Sequence, residues 1–334
     1  MPVTRVVTGY RPTGPLHLGH LLGNIESMLE LQQQHECCFF IADWHALTTD
    51  YERPDAIAQN TRDLVLDWVA AGIDPFRATI YKQSDVPEVA ELALCLSMLT
   101  PLGWLERNPT YKEQLRELTG REIATHGFLG YPILQCADIA IVRGELVPVG
   151  EDQLPHLELT REILRRFNAL YGSVFPEPQA ILTQARRVKG PDGRRMGASY
   201  GNAIWLGDPP ERIAEVVASA VTDPAKVRRG DPGNPEICTV FGWWRSFFPD
   251  EVARVDRTCR DGSLGCVEDK ADFASRLADR LSSFRERRAE LGSKTGMVEE
   301  VLAAGRAKVR PLAAATIEIV RDAMKLPHSE RVTR

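Results

Sequence analysis

Arg5-Val6-Val7-Thr8-Gly9-Tyr10-Arg11-Pro12-Thr13-Gly14-Pro15-Leu16-His17-Leu18-Gly19-His20 is the stretch on which the fold turns. Its first five residues are a short, mainly apolar run and predict a buried strand. Tyr10 to Pro15 reads as a Pro/Gly loop. From Leu18 the pattern turns helical, with Leu21, Leu22, Ile25, Met28, Leu29 and Leu31 at three-to-four spacing. A loop that leaves a strand and enters a helix presents free backbone N–H groups and a partial positive charge to anions. Gly14 and Gly19 let the backbone approach a phosphate or a nucleoside closely. His17 and His20 can donate hydrogen bonds to phosphate oxygens as charge develops. A strand-turn-helix with two surface histidines is the plainer reading of the same residues.

Working outward, Cys38-Phe39-Phe40-Ile41-Ala42 predicts a second strand and Ala78-Thr79-Ile80-Tyr81 a third. Pro54 opens a helix that runs to Ala71 and stops at Gly72. Val89 to Leu99 is a further helix. Short strands separated by long helices predict an α/β fold, a doubly wound parallel sheet with right-handed crossovers. Residues 86–140 are mostly helical and are expected to insert between the halves of that sheet. Leu146 to Gly150 returns to the sheet, and Glu151 to Leu170 is a helix with Leu157, Leu164, Phe167 and Leu170 on one face. Val188 to Arg194 has the composition of a mobile turn. After Pro210 only helical patterns remain, at 211–221, about 235–248, about 267–290 and 297–325.

The chain of 334 residues is 43% hydrophobic and 26% charged, as soluble globular proteins are. It has no apolar run long enough to span a membrane and no signal-peptide core near Met1, so the expected location is cytoplasmic. Seven cysteines, an odd number, do not read as a disulfide framework. A net charge of −5 argues against a dedicated nucleic-acid binder, though not against an enzyme with a local basic face.

Three further segments carry candidate chemistry. Val149-Gly150-Glu151-Asp152-Gln153 follows a strand and opens a helix, at the sheet edge where doubly wound folds bind ligands. Its acidic and amide groups suit ribose hydroxyls and an α-amino group, although Glu151 and Asp152 could equally cap the helix. Gly130-Tyr131-Pro132-Ile133-Leu134-Gln135-Cys136-Ala137-Asp138-Ile139 is a mainly apolar helical stretch with one carboxylate. Asp138 there needs a donor, either a ligand or a neighbouring cation such as Arg143. The last segment is Arg195-Met196-Gly197-Ala198-Ser199-Tyr200-Gly201-Asn202.

The first and last of these stretches resemble the His-x-Gly-His and Lys-Met-Ser-Lys-Ser signatures of class I aminoacyl-tRNA synthetases. Tyr10 to Gly14, Asn24, the Ala-Asp-Ile of residues 137–139 and the Gly-Glu-Asp-Gln of residues 150–153 resemble the bacterial tryptophanyl-tRNA synthetase branch. The segments stand in family order, and the resemblance covers about residues 3–326. It implies a Rossmann-type catalytic domain over 1–205 with its helical insertion at about 86–140, and a helical anticodon-binding-like domain over 206–334. It implies a homodimer that uses ATP with Mg2+ to activate tryptophan, then transfers it to tRNA(Trp). Position by position, it implies that Tyr131, Asp138 and Gln153 contact tryptophan, with Asp138 accepting the indole N–H. Arg11, Thr13, Gly19, His20, Gly150, Glu151, Asp152, Val188, Arg195, Met196 and Ser199 then contact ATP. His17, His20, Lys112 and Arg195 are the expected catalytic groups, Lys112 lying near the pyrophosphate. Tyrosine specificity is the alternative within the fold.

Two departures stand out. Ala198 occupies the place of the signature's second lysine, and Gly197 replaces its serine. Losing one such aimed donor typically costs roughly a hundred- to a thousandfold in rate, with Arg194, Lys189 or Lys112 as possible substitutes. An accessory relative that binds or slowly activates tryptophan without efficient tRNA charging is therefore the competing function. Some bacterial tryptophanyl-tRNA synthetases also carry a four-cysteine iron–sulfur site in the C-terminal part. Here only Cys238, Cys259 and Cys266 correspond, and Asp269 stands where the fourth ligand belongs. An iron–sulfur cluster, which normally wants four thiolates, is not expected.

Overall fold

The computed structural model describes residues 4–52, 54–108, 111–112, 124–182, 188–197 and 200–327. Five strands form one parallel sheet in the order β3-β2-β1-β4-β5. They are β1 (Arg5–Tyr10), β2 (Glu36–Ile41), β3 (Ala78–Lys82), β4 (Leu146–Val149) and β5 (Gln179–Leu182). β1 pairs with β2 from Arg5↔Glu36 to Tyr10↔Ile41, and with β4 at Val6↔Leu146. The chain therefore winds one way from β1 to β3, then crosses back to place β4 on the other side of β1. The crevice between the carboxyl ends of β1 and β4 is the topological switch point, where open α/β sheets bind ligands.

Alternate residues of each strand face opposite sides. Val6, Cys37, Phe39, Ile41, Ala78 and Ile80 share one apolar cluster; Val7, Cys38, Phe40 and Tyr81 belong to another. The helices that matter for the site are α1 (Leu18–His20), continued by a π-helical segment at Leu21–Ile25, then α2 (Glu26–Leu31), α3 (Asp43–Asp50) and α4 (Asp55–Ala71). The crossover between β3 and β4 holds α5 (Glu88–Ser97), α6 (Leu102–Glu106) and α7 (His126–Ile141), as expected for the helical 86–140 stretch. α8 (Leu154–Tyr171) follows β4. The C-terminal helices are α9 (Pro210–Ala218), α10 (Thr239–Phe247), α11 (Val252–Arg260), α12 (Cys266–Gly292) and α13 (Met297–Met324).

These last helices pack onto the sheet. Trp243, Trp244 and Phe273 belong to the same apolar cluster as Val6 and Phe39. α13 lies along β3 so closely that a Cβ on Gly305 would stand 1.7 Å from the Ile80 carbonyl oxygen. Arg321 clamps Glu91 of α5 through Nε and Nη2, both at 2.7 Å. The edge of β3 is thereby covered. Gly305→Ala is expected to lower stability by about 1–3 kcal/mol despite alanine's better helix propensity, because the backbone has to lift. Thermal unfolding of the two proteins checks this; an unchanged Tm would mean that the helix yields at no cost.

Candidate active site

The first signature follows β1 directly into the switch point. His17 is the N-cap of α1. Its Nδ1 accepts the Gly19 backbone N–H at 3.0 Å, and its own backbone N–H is accepted by His20 Nδ1 at 3.1 Å. Both rings thus use Nδ1 as an acceptor, which leaves the proton of each neutral imidazole on Nε2. The rings stack at 3.8 Å. Burial, reinforced by the charge of Arg195, lowers His17 to a pKa of about 4. Burial, then His17 and Arg195, lowers His20 to about 3. Two neutral N–H donors, Nε2 of each ring, result at pH 7. A Cβ on Gly19 would stand 2.8 Å from the His17 ring, so its missing side chain makes room for the cap. Gly14 has φ 140°, a conformation that favours glycine.

The second signature is a closed turn. Lys189 bridges antiparallel to Arg195, and Met196 N–H donates to Val188 O at 3.0 Å. Asn202 closes the turn, donating to Asp192 Oδ1 and Arg195 O and accepting from Gly197 N–H. Val188 and Met196 are buried in the core, while Lys189 and Arg195 are exposed. Arg194 is committed to Asp192 and lies over the Tyr200 ring, so it is a poor substitute for a missing lysine. Ala198 and Ser199 lie outside the described residues. The two signatures are sewn together: Leu18 N–H donates to Ile204 O, Leu206 N–H donates to Leu16 O, and His17 bridges Trp205. The effect of Arg195 on both histidines follows from this proximity.

Asp138 is 2% exposed on α7. Its partners are His45 and Gln83 rather than Arg143. His45 Nε2 lies 2.9 Å from Oδ2, and Gln83 Nε2 donates to both oxygens at 2.8 and 2.9 Å. The amide orientation of Gln83 is set from the other side, because its Oε1 accepts the backbone N–H groups of Trp44 and His45. Burial pushes the Asp138 carboxyl up, against His45 and Gln83. Tyr131 lies two turns before Asp138 on α7. Its hydroxyl meets His156 Nε2 at 3.2 Å, and His156 Nδ1 meets Asn108 Nδ2 at 3.0 Å. Burial raises Tyr131 to a pKa of about 12. Arg11 Nη2 donates to Thr49 Oγ1 on α3, the helix that also carries His45.

The remaining expected residues lie nearby or at the surface. Gly150 and Glu151 begin the turn after β4, with Gln153 N–H donating to Gly150 O; the side chain of Asp152 lies outside the described residues. Thr13, Glu151 and Lys112 are exposed. His45, Gln83, Asn108 and His156 were missed in the sequence. Their one available signal was position, His45 and Gln83 lying just past the carboxyl ends of β2 and β3.

Cys238, Cys259 and Cys266 do come together, around a cavity of about 20 Å³ that Asp269 also lines. Asp269 is occupied by Trp244 Nε1 at 2.8 Å, and burial raises its pKa to about 6. Among the described residues no group of three or more His, Cys, Asp or Glu is arranged to hold a metal ion.

A family described as tRNA synthetases class I (W and Y) matches residues 2–282, and the chain belongs to it. It is an aminoacyl-tRNA synthetase. The tryptophan–tRNA ligase of Thermotoga maritima is 46% identical over 96% of this chain and 99% of that one. That of Aquifex aeolicus is 43% identical over 97% of this chain and all of that one. The tryptophanyl-tRNA synthetase of Campylobacter jejuni, solved with ADP and tryptophan, superposes with a TM-score of 0.87 at 31% identity, covering 97% of this chain and 100% of that one.

Two predictions follow from this geometry. If the histidines act through Nε2–H, His20→Gln, whose amide reaches about as far as Nε2, retains more ATP–pyrophosphate exchange than His20→Asn. The asparagine variant is expected to lose on the order of a hundredfold; equal rates would exclude Nε2 as the donor. Protein purified without oxygen is expected to contain no stoichiometric iron or acid-labile sulfide, since Asp269 is a hard oxygen donor already bonded to Trp244. Iron and sulfide analysis beside Asp269→Cys checks this, and a cluster in the unmodified protein would contradict it.

Proposed function

We propose that this chain is a tryptophan–tRNA ligase that acts in two steps at the switch point. The tryptophan carboxylate attacks the α-phosphorus of ATP, forming tryptophanyl-adenylate and releasing pyrophosphate. The 3′ end of tRNA(Trp) then attacks the activated carbonyl and AMP leaves. The observation that carries the reading is the junction of the two signatures, in which the backbone on either side of His17 is bonded to Ile204 and Leu206, just beyond the Arg195 turn. In it, the Nε2–H groups of both histidines and the Arg195 guanidinium stabilise charge on the phosphates as the pyrophosphate departs. Arg11, Thr13, Gly19, Gly150, Glu151, Asp152, Val188, Met196 and Ser199 line the ATP side, and Lys112 meets the pyrophosphate. Mg2+ would accompany ATP as its counter-ion, offsetting the charge of the phosphates.

Asp138, Tyr131 and Gln153 take the amino acid. A carboxylate has about four acceptor positions, and His45 and Gln83 fill three at Asp138. The fourth accepts the indole N–H. Such a group rejects a side chain without that donor, which favours tryptophan over tyrosine. Relatives that match end to end favour a charging enzyme over an accessory one.

Leu94 on α5, Met98 just past its end and Leu102 at the start of α6 are exposed apolar side chains close together in sequence, and suit the interface of a homodimer. Among the described residues no helix is long and apolar enough to cross a membrane. Seven free thiols suit a cytoplasmic setting.

Calorimetry of Asp138→Asn, beside aminoacylation of tRNA(Trp) by the unmodified chain, tests the reading. Loss of the charge-assisted bond is expected to weaken tryptophan about ten- to a hundredfold while ATP binding holds. Equal loss of both ligands, or charging with tyrosine, would overturn it.

A further inference from the structure

Helix α12, from the C-terminal part, grips the two helices that flank the first signature. Arg280 Nη2 reaches Glu26 Oε1 of α2 at 3.0 Å. Arg288 Nε lies 2.5 Å from Asp67 Oδ1 and Nη2 lies 3.0 Å from Asp63 Oδ1, both on α4. The Asp67 side chain is 4% exposed, and its second oxygen accepts the backbone N–H of Leu16 at 3.4 Å. Leu16 immediately precedes His17. The next residue of α4, Trp68, meets Tyr10 edge-on at 5.7 Å, and Tyr10 meets His20 at 5.8 Å. Two consecutive residues of α4 therefore support the signature loop, Asp67 through Leu16 and Trp68 through Tyr10. The Leu16 bond is at the long limit of hydrogen bonding, so a small shift of Asp67 makes or breaks it. A buried carboxylate keeps its place only while its charge is paired, and Arg288 supplies that pairing.

We propose that Asp67 is a positioning residue for the first signature, seating Leu16 at a height set by Arg288, so that the docking of α12 is read out in the handling of ATP. The inference rests on the reading of that signature as the triphosphate site. It makes the C-terminal helices part of the adenylation machinery and not only a platform for tRNA.

Arg288→Met, Arg288→Lys and His20→Ala are compared with the unmodified full chain by ATP–pyrophosphate exchange, with active sites counted by the adenylate burst. Arg288→Met is expected to lower kcat/KM for ATP about ten- to a hundredfold, as small misplacements of reacting groups do. The KM for tryptophan and the fraction of active sites should hold, and Arg288→Lys should recover part of the loss. Asp67→Asn keeps an acceptor for Leu16 but loses the charge; it is expected to fall in the same direction and serves if Arg288→Met does not fold. A lowered Tm or active fraction with both KM values and kcat intact would mean a purely structural pair and overturn the proposal. Parallel losses for ATP and tryptophan would overturn it too. If His20→Ala is impaired and Arg288→Met is not, the inference alone fails. If His20→Ala leaves exchange untouched, the reading of the signature has failed and the inference with it.

Discussion

The short antiparallel ladder between Leu16–Leu18 and Ile204–Leu206 is the constraint on which the rest of the site depends. It brings together two segments that lie on opposite sides of most of the sheet in the chain. Closing so long a loop adds only slowly to the entropic cost, because that cost grows with the logarithm of length. The gain is geometric. His17 and His20 leave β1 at the switch point, and the ladder delivers the Arg195 turn to the same place. Without it the histidines would still cap α1, but the guanidinium would have no fixed relation to them.

Polar groups buried around the site are held in closed sets. His17 and His20 each use Nδ1 to satisfy a backbone N–H of the turn, that of Gly19 and that of His17, while Gln83 uses both ends of its amide and His156 both ring nitrogens between Tyr131 and Asn108. Each set fixes an orientation that an isolated side chain would not keep. Burial also sets protonation: both signature histidines are far below the ordinary histidine range and stay neutral donors through neutral pH. Burying them neutral has a thermodynamic corollary. Their contribution to stability is fully present above pH 6.5 and falls as acid protonates the unfolded chain, down through pH 4 to 3.

Much of this was legible in the sequence, for physical reasons. β1, β2 and β3 are apolar runs bounded by breakers, and the loop after β1 announces itself through proline and glycine. The strand Gln179–Leu182 was not seen: it is four residues long, its ends are exposed, and it has no apolar alternation. Helix Val252–Arg260 was not seen either, since Val255 is its one buried side chain and charge dominates the rest. The partners of Asp138 could not be read because His45 and Gln83 meet it only once β2 and β3 lie side by side and α7 packs over their ends. The closeness of Gly305 to Ile80 is likewise a tertiary fact, invisible in a helix that merely carries a glycine.

The central claim is that one triphosphate touches both signatures at once. A crystal structure with tryptophan and a non-hydrolysable ATP analogue measures it directly. Phosphate oxygens within hydrogen-bond distance of His17 or His20 Nε2 and of the Arg195 guanidinium, with the indole N–H on Asp138, are the predicted result. A triphosphate that contacts only one of the two segments, or a tryptophan seated away from Asp138, would contradict the account.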